Sequence, residues 1–235
     1  MTILIPAYQP DSRLPLMVEE LQKRLVSRIV VVDDGSGPQY RGLFRALEGM
    51  SCTVLSYSQN RGKGYALKAG FQHILTHTYE DDGVVTADAD GQHLAEDIMK
   101  IAAAVSNASD EIVLGVRRFG QQTSLRSRIG NSMSSLLFRA VCGKEIRDTQ
   151  TGLRGFPLLL LPRLIKIAGD RFDYETNVLA EACAHGTALR QMEIAAVYGT
   201  SASHYRTVAD SFEIACSFAR ALSGRIKHSC AVGRK

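Results

Sequence analysis

The chain has 235 residues, 45% of them hydrophobic and 22% charged, with a net charge of +4. That is enough apolar material for one good-sized globular domain, and so mild a positive charge does not by itself imply a nucleic-acid partner. Five scattered cysteines (Cys52, Cys142, Cys183, Cys216 and Cys230), odd in number and without a C-x-x-C pair, argue against a disulfide framework or structural zinc and fit a reducing cytosol.

The chain enters directly on an apolar strand, Ile3 to Ile5, with no charged-then-apolar leader ahead of it, so no secretory signal is expected. A helix over Leu14 to Leu25 follows. "RIVVVDDGS" reads as a buried strand running into a turn, Tyr40 to Leu47 as a second helix, and Thr53 to Tyr57 as a third strand. After "NRGKG", the spacing of Leu67, Phe71, Ile74 and Leu75 predicts one buried helix face, leaving His73 and His77 exposed. Val84 to Ala87 is the fourth strand; Leu94, Ile98, Ile101 and Val105 mark the next helix; Ile112 to Leu114 is the fifth strand. The second half is less regular. "LRSRIGNSMSSLLFRAV" is helical and "DTQTGLRGF" short and turn-like. The run Phe156 to Ile167 holds Pro157, Pro162, Arg163 and Lys166, so no span of a membrane is expected there. Asp173 to His185 reads as a helix, Leu189 to Val197 as a strand and Val208 to Leu222 as an amphipathic helix. The expected layout is one domain over 1–224 and a basic tail over 225–235.

Strands alternating with helices predict an α/β fold: a mainly parallel central sheet with helices on both faces. In such sheets ligands lie beyond the carboxyl ends of the strands. The polar motifs sit there: Pro6-Ala7-Tyr8, Asp33-Asp34-Gly35-Ser36, Asn60 to Gly64, and Asp88 to His93. Asp88 and Asp90, one residue apart beside Gly91 and Gln92, offer the oxygen ligands that Mg²⁺ or Mn²⁺ prefers, and such an ion leaves positions open for phosphate oxygens; the same residues also serve as a turn. Asp33 and Asp34 can accept from a base or ribose, or cap the following helix. Arg61 and Lys63 among glycines before a helix suit phosphate, and equally a plain loop-to-helix start. The basic run Arg117, Arg118, Arg126 and Arg128 is either a solvated face or a phosphate seat. The histidines make no metal cluster; His93 adjoins the aspartates and is placed to orient a ligand.

In this order the motifs "ILIPAYQP", "VVVDDGS", "NRGKGYALKAGF", "TADADGQH", "LGVRRF", "LRSRIGN", "DTQTGLRGF", "RFDYETNVL" and "SASHYR" resemble the family 2 glycosyltransferases of GT-A fold. Within them they are most similar to the polyprenol-phosphate group that includes dolichol-phosphate mannose synthase. The resemblance covers nearly the whole chain and implies that the fold is of the Rossmann-like nucleotide-binding type. It implies that Pro6, Ala7, Tyr8, Asp33, Asp34 and Asp88 surround the nucleoside, with Arg61 and Lys63 near the nucleotide. It implies Asp88, Asp90 and Gln92 as the ligands of Mg²⁺ or Mn²⁺ bridging the diphosphate. Arg117, Arg126 and Arg128, with Ser132 beside them, would hold a lipid phosphate, while Asp148, Gln150 and Arg154 line the sugar side. Gln9-Pro10 stands where relatives often carry an acidic residue. The implied reaction is inverting transfer from a nucleoside-diphosphate sugar to a polyprenyl (undecaprenyl-type) phosphate, at the inner face of the cell membrane. The helix stripe Phe212, Ala215, Phe218 and Leu222 and the basic tail are then candidates for peripheral membrane contact, beside a membrane-protein partner. The competing readings are transfer to a soluble or cell-surface sugar, a non-catalytic nucleotide-sugar-binding module, and a nucleotidyltransferase. The last lacks its Gly-rich opening after the first strand.

Overall fold

The computed structural model describes residues 1–26, 28–77, 83–105, 110–117, 135, 138–139, 143 and 145–195. The expected helices over "LRSRIGNSMSSLLFRAV" and Val208 to Leu222, the "SASHYR" motif, the tail, and Arg118, Arg126, Arg128 and Ser132 lie outside the described residues, apart from scattered positions of the first helix.

In chain order the elements are β1 (Thr2–Ala7), α1 (Arg13–Lys23), β2 (Ile29–Asp33), α2 (Arg41–Gly49), β3 (Thr53–Ser56), α3 (Lys63–Thr76), β4 (Gly83–Thr86), α4 (Ala95–Ala104), β5 (Ile112–Arg117), β6 (Arg154–Pro157), α5 (Leu161–Leu164), α6 (Asp173–Ala184) and β7 (Leu189–Ile194). The strands form one sheet in the order β3-β2-β1-β4-β6-β5-β7. β1 pairs in parallel with β2 and β4, β2 with β3, and β5 with β7. Only β6 opposes its neighbours, running antiparallel between β4 and β5.

The strand sequences explain the layering. β2, "IVVVD", is β-branched over its first four residues and buried at every position, as a strand covered on both faces must be. Side chains alternate across a strand, so Ile3, Ile5, Ile29 and Val31 join one apolar layer with α1, α2 and α4, for example with Leu14, Phe44 and Ile98. Leu4, Val30 and Val32 join the other with α3 and α6, through Leu67, Phe71 and Leu179. The parallel sheet with helices on both faces is therefore present as expected.

Three expectations need correction. The stretch over 154–157, read as turn-like, is a strand; Gly155 lies opposite both Val85 and Val113, and a side chain there would strike Val105. Leu94 does not face the core: it caps α4 and is 42% exposed, and the helix buries Ala95, Asp97, Ile98, Ile101 and Ala102 instead. The carboxylate of Asp97 takes the backbone N–H of Ala195, just past β7 (2.9 Å). His73 is half-buried rather than exposed, its ring stacked on that of His77 with centroids 3.8 Å apart.

Candidate active site

The ends of β1 and β2 are tied together before any ligand is considered. Pro6 and Ala7 are buried within β1, and Tyr8 beyond them is 37% exposed. The Asp34 N–H donates to the Ala7 carbonyl (2.8 Å), Asp33 accepts from the Ser36 N–H (2.8 Å), and the Ser36 hydroxyl accepts from the Gln9 N–H (2.8 Å). The buried Asp34 carboxylate is the hub of the next loop. It accepts from the Tyr57 hydroxyl (2.7 Å), the Asn60 amide (2.9 Å) and the backbone N–H groups of Arg61 (2.8 Å) and Gly62 (2.9 Å). Burial, and then the adjoining Asp34 charge, push the Tyr57 hydroxyl far above the usual tyrosine range, so it stays a donor. Both oxygens of Asp34 are thus filled from within the protein, and its immediate work is to shape residues 60–62.

That loop is pressed on the start of α6. Gly62 has φ +102°, and a side chain there would meet the Asp170 carbonyl; one on Gly64 would meet Tyr174. The Tyr65 N–H closes the contact by donating to the Asp170 carbonyl (2.9 Å). Glycine is needed at 62 for conformation and at 64 for the close approach. Arg61, exposed, lays its guanidinium over the Tyr65 ring at 3.8 Å.

This packing delivers Lys63, the first residue of α3, into an acidic cleft. Its ammonium lies 2.7 Å from Asp88 Oδ1 and 2.8 Å from Glu175 Oε2, with the Lys63 side chain 16% exposed. Burial alone would lower the lysine's pKa, but the two carboxylates outweigh it and hold it above the usual range. Buried His93 sits 3.3 Å from the other Asp88 oxygen. Burial opposes ionisation of Asp88; Lys63 and His93 prevail and hold its carboxyl well below the usual range. Asp90 is the opposite case. Burial and then the neighbouring Asp88 charge raise its pKa, and among the described residues its hydrogen bond comes from the Gln92 N–H (3.0 Å). Among the described residues no lysine, arginine or histidine forms an ion pair with it.

The oxygen donors here are of the kind a hard divalent cation takes, and Asp90 is the carboxylate among them that could hold one. Asp90 is a half-buried carboxylate with little compensation on a turn opened by Gly91 (φ +70°). Gln92 lies beside it and Asp88 is already engaged, so the remaining coordination falls to water and phosphate oxygens, as Mg²⁺ favours. No group of three His, Cys, Asp or Glu side chains poised to hold a metal occurs among the described residues.

The second half of the site is built from the loop over 148–152 and strand β6. Arg117, at the end of β5, forks onto Asp148, with Nε 2.6 Å and Nη2 3.1 Å from its two oxygens, and Asp148 is completely buried. The Gln150 N–H also donates to Asp148 (3.2 Å). Four residues along the same loop, Gly152 lies directly under the Asp88 carboxylate, where a Cβ would collide with both oxygens. The Thr86 hydroxyl fixes the Gly152 carbonyl (2.9 Å), and the Gly115 N–H fixes that of Leu153 (2.9 Å). One short strap therefore touches both Arg117, through Asp148, and Asp88, through Gly152, at the same end of the sheet. Arg154, expected along the sugar side, is 2% exposed. Its guanidinium is spent on the backbone carbonyls of Thr149 (3.1 Å), Thr151 (2.9 Å) and Glu175 (2.6 Å).

The structure thus gathers Lys63, Asp88, Asp90, Gln92, Arg117, Asp148 and Gln150 around one end of the sheet. Asp33 and Asp34 stand behind them as supports. It adds Glu175 and Gly152, which sequence reasoning carried only inside longer motifs. Each owes its place to a partner distant in the chain.

Comparisons with known proteins place the chain in a family. The chain is 28% identical over 201 residues to an uncharacterised protein of Methanocaldococcus jannaschii, covering 83% of this chain and 81% of that one. It is 30% identical over 174 residues to the UDP-N-acetylglucosamine–dolichyl-phosphate N-acetylglucosaminyltransferase of Methanococcus voltae, covering 66% and 68%. An undecaprenyl-phosphate 4-deoxy-4-formamido-L-arabinose transferase of Yersinia enterocolitica is 28% identical, and the chain spans 48% of its length. Among solved structures, glucosyl-3-phosphoglycerate synthase from Mycobacterium tuberculosis, in complex with Mn²⁺, UDP and phosphoglyceric acid, superposes with a TM-score of 0.74 at 16% identity, over 94% of this chain and 78% of that one, and shares the GT-A fold. Residues 2–160 match the family described as glycosyl transferase family 2, and the chain belongs to that family.

Proposed function

We propose that the protein transfers a sugar from a nucleoside-diphosphate sugar to a polyprenyl phosphate, with inversion at the anomeric carbon. The observation that supports this is the strap over 148–152, which holds Arg117 through Asp148 and passes under Asp88 at the same end of the sheet; Arg117 is then a seat for an anionic acceptor. The family and its relatives' names support the same acceptor class.

The chemistry needs little beyond placement. A phosphate monoester loses its second proton with a pKa of about 6, so near neutrality its oxygen is already a nucleophile. That oxygen bonds to the anomeric carbon as the bond from carbon to the diphosphate oxygen breaks, and the nucleoside diphosphate departs with the electron pair. No proton has to be removed first. Arg117 orients the attacking phosphate, and Asp148 holds Arg117 in its forked geometry. Asp90 and Gln92 would hold Mg²⁺ or Mn²⁺, which supplies charge neutralisation for the leaving diphosphate. Lys63 adds a fixed positive charge on the same side. The membrane surface is then the place of reaction, while the described residues contain no helix long and apolar enough to cross it.

Incubation with Mn²⁺, a panel of UDP- and GDP-sugars and a short polyprenyl phosphate tests the proposal. The expected product is a lipid-phosphate sugar of inverted configuration. Transfer to sugar alcohols with none to the lipid phosphate would refute it.

A further inference from the structure

Both oxygens of Asp88 are occupied from inside the protein: Oδ1 by the Lys63 ammonium at 2.7 Å and Oδ2 by His93 at 3.3 Å. The nearby Glu175 carboxylate is bound to the same ammonium at 2.8 Å. A carboxylate pair gathered around one point is what a hard divalent cation prefers, and here a lysine fills that point. We propose that Lys63 is a resident cation that keeps a free divalent ion out of the Asp88–Glu175 pair, so that metal is taken up together with the nucleotide diphosphate. The inference rests on the donor-site reading above and adds an order of binding to it.

Three features support it. A divalent ion would take carboxylate oxygens at about 2.0–2.2 Å through lone pairs the ammonium now uses, so an ion arriving alone must either expel Lys63 or sit beside it, charge against charge. Lys63 is not easily expelled. It begins α3 between Gly62 and Gly64, both clamped against Asp170 and Tyr174, and its side chain is 16% exposed. What remains for a lone ion is Asp90, which accepts from the Gln92 N–H and already feels the positive charges of Arg13, Lys63 and His93; one carboxylate so placed is a weak site for a hydrated dication. A diphosphate changes the balance on both sides, because its oxygens complete the metal's coordination and give the ammonium a second set of acceptors.

Manganese is the probe, followed by the electron paramagnetic resonance of the unbound ion. Wild-type protein should bind Mn²⁺ alone at least tenfold more weakly than in the presence of UDP or GDP. Lys63→Met should bind Mn²⁺ alone at least tenfold more tightly than wild type, and Mn²⁺ should raise its thermal midpoint more. The second readout works even if the variant is destabilised. Lys63→Gln, which keeps a hydrogen-bond donor without the charge, carries the same expectation, and Lys63→Arg should behave as wild type. If wild type binds Mn²⁺ with UDP or GDP but neither neutral variant gains affinity or stabilisation from Mn²⁺ alone, the resident-cation idea is wrong and the donor site stands. If no protein binds Mn²⁺ with either nucleotide, the donor-site reading itself falls.

Discussion

Adding one carbon at position 152 should damage the site from beneath. A Cβ on Gly152 would overlap both oxygens of Asp88 and its Cγ. The loop cannot easily retreat, because the Thr86 hydroxyl holds the Gly152 carbonyl and the Gly115 N–H holds that of Leu153, each at 2.9 Å. The side chain of Asp88 has to yield, and turning it away gives up Lys63 and His93. Overpacking of this kind costs about 1–3 kcal/mol. Loss of a fully buried ion pair would add about 3–5 kcal/mol, but the Asp88 side chain is 30% exposed and water takes up part of that. A total of about 2–5 kcal/mol lowers the melting midpoint of a chain this size by roughly 4–20 °C. Affinity for Mn²⁺ with UDP or GDP should fall at least tenfold, measured by calorimetry. Gly42→Ala is the control: nothing lies within 4 Å of its Cβ, and it should be neutral or slightly stabilising. A Gly152→Ala protein that melts and binds like wild type would refute the reasoning.

Arg154→Met leaves three backbone carbonyls without their donor. Each orphan costs about 1–3 kcal/mol, partly offset because a buried guanidinium no longer has to be desolvated; a net loss of about 2–4 kcal/mol should appear as a lower urea midpoint, and an unchanged midpoint would contradict the assignment. Asp34→Asn puts an amide N–H where Asn60 and Gly62, or Tyr57 and Arg61, now donate, so the 60–62 loop should loosen, with about 1–3 kcal/mol lost and nucleotide affinity down at least tenfold. Cys52 is buried, and burial pushes its thiol up to about 11; since only the thiolate reacts, native protein at pH 8 should be alkylated there far more slowly than unfolded protein, and rapid labelling of Cys52 seen by mass spectrometry would show that face to be open. Asp148→Asn should raise the KM for the acceptor phosphate while leaving the shape of the pH–rate profile alone; a collapse in rate rescued only at high pH would reveal a general base.

The first half of the fold was legible because the strands there are short apolar runs ended by polar or turn residues, and the helices between them show a buried stripe. β6 was not, for a physical reason. "RGFP" carries a charge, a glycine and a proline, and is held in the sheet by what flanks it: β4 on one side and β5 on the other. Its buried arginine breaks the usual exclusion of charge from cores, and the three carbonyls that permit the exception come from two separate segments. The candidate site was legible as a list of motifs, but the partners within it were not. Lys63 reads as a phosphate-binding cation from its glycine-rich setting, and nothing local reveals that Glu175, far along the chain, shares it with Asp88. Asp34 reads as a nucleoside contact, and only the folded loop shows that its oxygens are already taken.

The two halves of the site follow one electrostatic rule. On the acidic side, Asp88 and Glu175 are balanced by a lysine; on the basic side, Arg117 is balanced by Asp148. Uncompensated buried charge is costly, and neither side of the site leaves these groups bare. Internal counter-ions let the protein fold with its charges in place and oriented; under the proposed function, ligands would then meet a preorganised, balanced site. Asp90 differs: burial and then Asp88 disfavour its charge, and His93, Lys63 and Arg13 favour it without forming an ion pair among the described residues. Under the proposed function this is where a bound cation would add positive charge. Asp90 stands two residues from Asp88, on the side of the site where the leaving diphosphate would need that charge.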